Sequence, residues 1–275
     1  MGREAPRVPL VLSQKAAESI PSHAARQHKA KTAKIKIEKQ EVAMSAILSS
    51  QKLRGDPPPC EIPSSFAIDH EEQTLFFNTY NERDQSSEIF SCDLKKKTWK
   101  NITKAIRHLP HPIGTPERAQ QLPPRYGGTM AYYKMKPSGQ RLLLLFGGQV
   151  NGLDPDGHGE VSNEMIAIDV DNLRWWVIGI AGGPVVPRVE AHLIIVNDQL
   201  FVFGGKERVD EQLETTESYS VASFTNNSWI WDVRDEPYPS HVPALGSSCD
   251  AVTIQDGDTQ KILLTVGCTD STKTV

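Results

Sequence analysis

Residues 142–148 read LLLLFGG, and residues 199–205 read QLFVFGG. Each stretch is an apolar run that stops at a glycine pair, Gly147-Gly148 in one and Gly204-Gly205 in the other. An Arg precedes each run, Arg125 in PPRYGG and Arg188 in VPRVEAH. A polar loop and then a Trp follow each run, Trp175 and Trp229. One such stretch reads as a strand that ends at a bend. Two with the same residue types in the same order form a repeat, and a repeat sets the architecture before any single residue is read.

Working outward, four units align: residues 66–103, 124–180, 187–233 and a partial unit at 245–275. The second unit predicts strands at 128–135, 141–146, 164–170 and 174–178. The third predicts them at 191–196, 199–203, 218–224 and 228–233. In the first unit Thr74-Leu75-Phe76-Phe77 matches the second strand, with Asn78-Thr79 standing for the glycines. Its membership rests on Ser87–Asp93, which parallels Asn163–Asp169, and on Trp99, which follows Asp93 as Trp175 follows Asp169. The fourth unit offers Lys261–Cys268 as its second strand, with Gly267 in the first glycine position.

Each feature has a physical reason. A sheet covered on both faces reads as continuous apolar runs rather than alternation. Glycines at the end of such a run permit positive φ or the close approach of another backbone. The pairs lack the GxGxxG spacing and no helix follows them, so they form no nucleotide loop. A Trp in the last strand fills the widening gap between neighbouring sheets.

The order Arg, apolar run, Gly-Gly, Trp resembles the kelch repeat, in which each unit is a four-stranded blade of a β-propeller. The resemblance covers residues 66–275. It implies an all-β fold, an incomplete or open propeller of about 3.5 blades against the usual four to eight. It also implies that Arg125 and Arg188 sit near a central channel. Read by themselves, the two Arg leave a hydrogen-bonded structural role and a ligand contact both open. The partial fourth unit predicts an open side. The chain is expected to be a fragment of a longer propeller, or to close with a second copy.

Residues 1–54 read differently. They carry 11 Lys/Arg against 4 Asp/Glu, while the remainder carries 19 against 30. Residues 13–54 have no Gly and a single Pro, Pro21. Apolar residues recur there at near-helical spacing, which predicts a basic helical extension, partly disordered. Residues 55–65, with Pro57-Pro58-Pro59, read as a stiff linker. A basic tail invites nucleic acid. It has no interleaved aromatics on which bases would stack, so a solvated helix is the favoured reading.

No apolar run approaches membrane-spanning length. Val8–Leu12 is too short for a secretory core and contains Pro9. Cys60, Cys92, Cys249 and Cys268 lack CxxC spacing and read as reduced thiols, which predicts an intracellular protein, cytoplasmic or nuclear.

Candidate chemistry is sparse. Asp154-Pro-Asp156-Gly-His158-Gly-Glu160 alternates possible metal ligands, but Met165 stands at the twelfth position, where a calcium loop needs a Glu. A solvated loop is the favoured reading. There is no GxSxG and no HExxH. His192 reads as a core or channel residue, and His108 and His111 lie in a Pro-rich connector. The sequence therefore predicts no catalytic residue, no cofactor and no metal.

What remains is binding, because loops on a rigid scaffold carry function. The expected partner is another protein, with no membrane surface. The partner-facing candidates are the loops 149–162 and 206–217, specifically Gln149, Asn151, Asp154, Lys206 and Arg208, together with Arg125 and Arg188. The alternative is a metal-dependent enzyme, an oxidoreductase or lyase, built on the same scaffold. A third reading is self-association through an open edge or the N-terminal helix.

Overall fold

The fold is all-β in a computed structural model. The structure describes residues 53–59, 63–81, 84–109, 121–150, 159–210, 212–226 and 228–238, and the strand backbones at 249–256 and 259–266. The predicted N-terminal helix lies outside the described residues. Among the described residues the sole helical element is one 3-10 turn, Thr103–Ala105.

Sheet 1 holds β1 (Arg54–Gly55), β2 (Pro63–Asp69), β3 (Thr74–Asn81), β4 (Ser86–Asp93) and β5 (Thr98–Asn101). Sheet 2 holds β6 (Arg107–His108), β7 (Thr129–Lys134), β8 (Arg141–Phe146), β11 (Met165–Asp169) and β12 (Arg174–Ile178). A short ribbon, β9 (Gln149–Val150) with β10 (Glu160–Val161), interrupts sheet 2 in sequence. Sheet 3 holds β13 (Ile180–Ala181), β14 (His192–Val196), β15 (Gln199–Phe203), β18 (Ser218–Thr225) and β19 (Ser228–Pro237). A second ribbon, β16 (Lys206–Val209) with β17 (Gln212–Thr215), interrupts it. A hairpin, β20 (Cys249–Asp256) with β21 (Thr259–Val266), follows.

In each five-stranded sheet four strands form an antiparallel meander in chain order. The fifth is the surprise. The residues entering each unit pair in parallel with that unit's last strand: β1 with β5, β6 with β12, β13 with β19. Four-stranded units were expected. The added strands are two residues long and carry no apolar alternation, so the sequence gives no sign of them. They occupy an edge that would otherwise offer unpaired backbone groups. The expected linker 55–65 accordingly begins in β1 and ends in β2.

Sheet 2 explains the apolar runs. Leu143, Leu145, Ile166, Ile168 and Trp175 join one core with Ala67, Phe76 and Ile89 of sheet 1. Leu144, Phe146, Met165 and Ala167 point the other way and join Leu200, Val202, Ala222 and Trp231 of sheet 3. Alternate residues of one strand thus feed two cores. The first strands β2, β7, β14 and β20 stand side by side in that order.

Turn chemistry repeats as well. Asp69, Asp93 and Asp169 each end a strand and accept backbone N–H groups two or three residues on. Each of these turns closes on a residue in the left-handed region, Gln73, Lys97 and Leu173. A short polar side chain holding its own backbone is the standard Asx device for such turns. Asn197-Asp198, both at positive φ, close the two-residue β14–β15 hairpin, which favours residues tolerant of that conformation.

The register corrects two alignments. Ile168 faces Trp175 and Cys92 faces Trp99, whereas Ala222 faces Trp231. Trp231 therefore takes the repeat position that the sequence gives to Trp229, and both pack in the same core. In sheet 1, Thr79 lies opposite Glu88, the counterpart of Glu164 to which Gly147 bonds. Thr79-Tyr80 thus stand at the glycine positions, and Asn78 stands where Phe146 and Phe203 do.

Candidate functional site

The two glycine corners turn the chain out of β8 and β15 into the ribbons. Gly147, Gly148, Gly204 and Gly205 all have positive φ. At Gly147 the reason is contact as well as conformation. A Cβ there would lie 2.3 Å from the Arg188 carbonyl oxygen. The next sheet's backbone crosses where a side chain would begin.

Each Arg is built into that crossing. Arg188 donates its backbone N–H to the Ser162 carbonyl (3.2 Å), and its own carbonyl accepts from Gly148 (2.8 Å), both in the preceding unit. Its guanidinium turns back to its own unit, donating to the carbonyls of Ser218 (2.8 Å) and Gly204 (3.3 Å) and to Asp235 (2.8 Å). Arg125 repeats the plan one unit earlier. Its N–H donates to Ser87 Oγ (2.7 Å) of sheet 1, and its guanidinium donates to the Gly147 carbonyl (2.8 Å) and to Glu164 (2.6 Å). Burial works against the Arg125 charge, and Glu164 opposes that effect.

Both guanidinium groups are buried, Arg125 at 1% exposure and Arg188 at 0%. They are enclosed in the joints between sheets, with their terminal amino groups committed to carbonyls, hydroxyls and carboxylates and each Nε–H buried without a partner. The structural role is the one the geometry supplies, and a direct hand on a partner would need these donors released. The sequence missed Ser162, Glu164, Ser218 and Asp235 as the counterparts. Glu164 was visible in the Asn163–Asp169 match. Asp235 was not, because it sits at positive φ on β19, whose pairing with β18 is irregular. From there it also accepts the Val186 N–H (3.0 Å) and Ser220 Oγ (3.2 Å).

The joints carry the ribbons β9–β10 and β16–β17. The predicted loops 149–162 and 206–217 thus contain short antiparallel pairs. Arg208 on β16 donates to the Gly159 carbonyl (2.7 Å), tying the two ribbons together. Beside this tie lies a cavity of about 390 Å³, lined by Glu160, Val161, Val186, Pro187 and Arg208. Its apolar wall is Val161, Val186 and Pro187, and its charged wall is Glu160 and Arg208.

The other candidates disperse. Lys206 pairs with Glu190 (2.7 Å) beside the joint. Gln149 is buried, exchanges backbone bonds with Tyr126, and leaves both side-chain amide atoms without a partner. Asn151 and Asp154, with most of the DPDGHGE segment, lie outside the described residues. Among the described residues no three His, Cys, Asp or Glu side chains converge as metal ligands. No helix among them is long and apolar enough to cross a membrane. Cys92 is buried, which pushes its thiol up from the usual range.

No family model and no curated protein matches this sequence. Among solved structures it is similar to one described as "Structure of YjhT", at 15% identity and a TM-score of 0.44. The match covers 74% of this chain and 58% of that one, so this chain spans well under two thirds of that chain's length.

Proposed function

We propose that this chain is a kelch-type β-propeller segment that binds another protein at the end carrying the two ribbons. The repeated meanders, the shared faces of sheets 1 to 3 and the adjacent first strands support the architecture. The single observation that carries the function is the cavity between the ribbons. It is lined by apolar Val161, Val186 and Pro187 together with charged Glu160 and Arg208, and the buried Arg188 follows Pro187 directly in the joint. Preorganisation of that kind lowers the entropy cost of association. Sites built from loops on a rigid frame are where such scaffolds bind.

The test is a comparison of variants. Wild type, Val161→Asp and Val186→Asp are each used to capture partners from a lysate of the source organism. The reading expects a bound protein that both substitutions abolish and that Val177→Asp, at an exposed position on β12 outside the cavity lining, retains. An identical captured set for all four proteins would sink it.

A further inference from the structure

Two strand edges fail to meet at the cavity beside Arg208, and the register fixes which backbone groups are left there. Across the first ribbon Gln149 stands opposite Val161. Gln149 commits both its backbone groups to Tyr126, donating at 2.8 Å and accepting at 3.0 Å. Residues opposite each other in an antiparallel pair either exchange both bonds or turn both groups away. Gln149 and Val161 are of the second kind, and the Ser162 N–H on the Gly148 carbonyl (2.9 Å) agrees with that register. The Val161 N–H and C=O therefore turn away from β9. Gly159 lies on the same edge and gives its carbonyl to Arg208 of β16 (2.7 Å), so this edge faces the second ribbon. Neither Val161 group has a partner among the described residues.

The opposite wall stops short for a different reason. Val189 and Lys206 exchange both backbone bonds (2.9 and 2.8 Å). The next pair in that antiparallel ladder would be Pro187 with Arg208. Proline has no N–H, so the ladder cannot continue in full. The cavity opens at this place, lined by Pro187, Arg208, Val186, Val161 and Glu160. The Val186 N–H is taken by Asp235 (3.0 Å), and the Arg188 backbone is bonded to Ser162 and Gly148. Pro187 is exposed and Val161 and Val186 are half-buried, so the site is open to solvent.

We propose that the cavity takes an extended segment of the partner protein, one residue of which exchanges both backbone hydrogen bonds with Val161. Resting on the protein-binding reading of the ribbon end, this gives the partner its chemistry, main chain paired to main chain. A donor and an acceptor on one strand edge match the acceptor and donor of another extended chain. The molecule already forms such a single-residue bridge twice at this end, Tyr126 with Gln149 and Val189 with Lys206. The side chain of the bridging residue falls beside that of Val161, as in any cross-strand pair. Val161, Val186 and Pro187 carry no charge there, so the wall selects an apolar side chain. The backbone supplies affinity and the wall supplies specificity.

Random peptides about one strand long, displayed on phage, are selected on the immobilised full chain. The strongest binder is then synthesised with each backbone amide N-methylated in turn, and fluorescence polarisation reads the affinities. N-methylation at one apolar residue should weaken binding at least about tenfold, as loss of a hydrogen bond in an enclosed site does. Val161→Pro should do the same, because it removes the N–H and keeps an apolar side chain. Proline is tolerated at a strand edge whose N–H pairs with nothing in the fold. Val161→Ile should bind like wild type. The N-methyl scan leaves the chain unaltered, so the test stands even where Val161→Pro proves unfolded in a urea titration. No selected peptide, a winner indifferent to every N-methylation, or one that binds folded Val161→Pro as tightly as wild type overturns the bridge. Loss of lysate capture in Val161→Asp together with an indifferent scan would keep the protein-binding reading and remove the bridge alone.

Discussion

Gly147→Ala is the sharpest perturbation of the joint between sheets 2 and 3. Two costs add. Gly147 has φ +67, and a side chain in that left-handed region costs about 1–2 kcal/mol. The new Cβ would also lie 2.3 Å from the Arg188 carbonyl oxygen. That oxygen cannot retreat freely, since it accepts the Gly148 N–H while the Arg188 N–H holds Ser162. Relieving the overlap moves the joint, at about the 1–3 kcal/mol typical of overpacking. The total is about 2–5 kcal/mol, a large fraction of a domain's stability. Gly139→Ala isolates the second cost. Gly139 has φ +73, but a Cβ there meets nothing within 4 Å. It should lose only about 1–2 kcal/mol, the conformational part. Urea unfolding followed by tryptophan fluorescence reads both variants. Equal losses at the two positions, within about 0.5 kcal/mol, would refute the claim that the crossing backbone is what demands glycine at 147.

Three further outcomes are expected. Arg188→Met, which leaves Asp235 with a lost partner, should cost about 2–4 kcal/mol, below the full buried-pair value because Asp235 retains some solvent; Arg188→Met with Asp235→Asn should cost less than the sum of the singles. Asn78→Leu should stabilise by about 1–2 kcal/mol in thermal unfolding, because both amide atoms of Asn78 are buried without partners where sheets 2 and 3 carry Phe; a fall in melting temperature would show that Asn78 is satisfied by buried water. Burial pushes the Asp69 carboxyl up, but the Glu72 N–H and the Arg141 guanidinium (3.2 Å) outweigh it and hold the carboxyl below the ordinary range. A depressed folded value means stability that is present above the unfolded value of about 3.9 and lost as pH falls through the folded one. Acid unfolding of Asp69→Asn should therefore lose part of the wild-type slope below about pH 4, and an unchanged slope would remove Asp69 from the account.

Much of the fold was legible because repetition makes weak signals add. A single LLLLFGG says little, but its recurrence with Arg and Trp at matched places predicted β8, β12 and β15 to the residue. The apolar runs of β8 and β11 hold because both faces of sheet 2 are covered, a property that an unbroken apolar run, in place of alternation, states in the local sequence. Register was harder. The turn between β18 and β19 is shorter than that between β11 and β12, and β18–β19 pair irregularly. That shift moved the Trp231 match by two residues.

The candidate site divides the same way. That Arg125 and Arg188 matter was visible in their recurrence; that their charges are enclosed was not. An Arg before an innermost strand can point into a channel or back into its own sheet, and the sequence is the same for both. Only the tertiary structure brings Asp235 across 47 residues and Glu164 across 39 to meet them. The edge strands β1, β6 and β13, and the cavity between the ribbons, likewise exist only once distant segments meet. Periodicity is a local property of the chain, so the sequence determined strands, faces and the repeat. Pairing of edges, enclosure of charge and the shape of a cavity depend on which segments become neighbours, and those the packed structure alone decided.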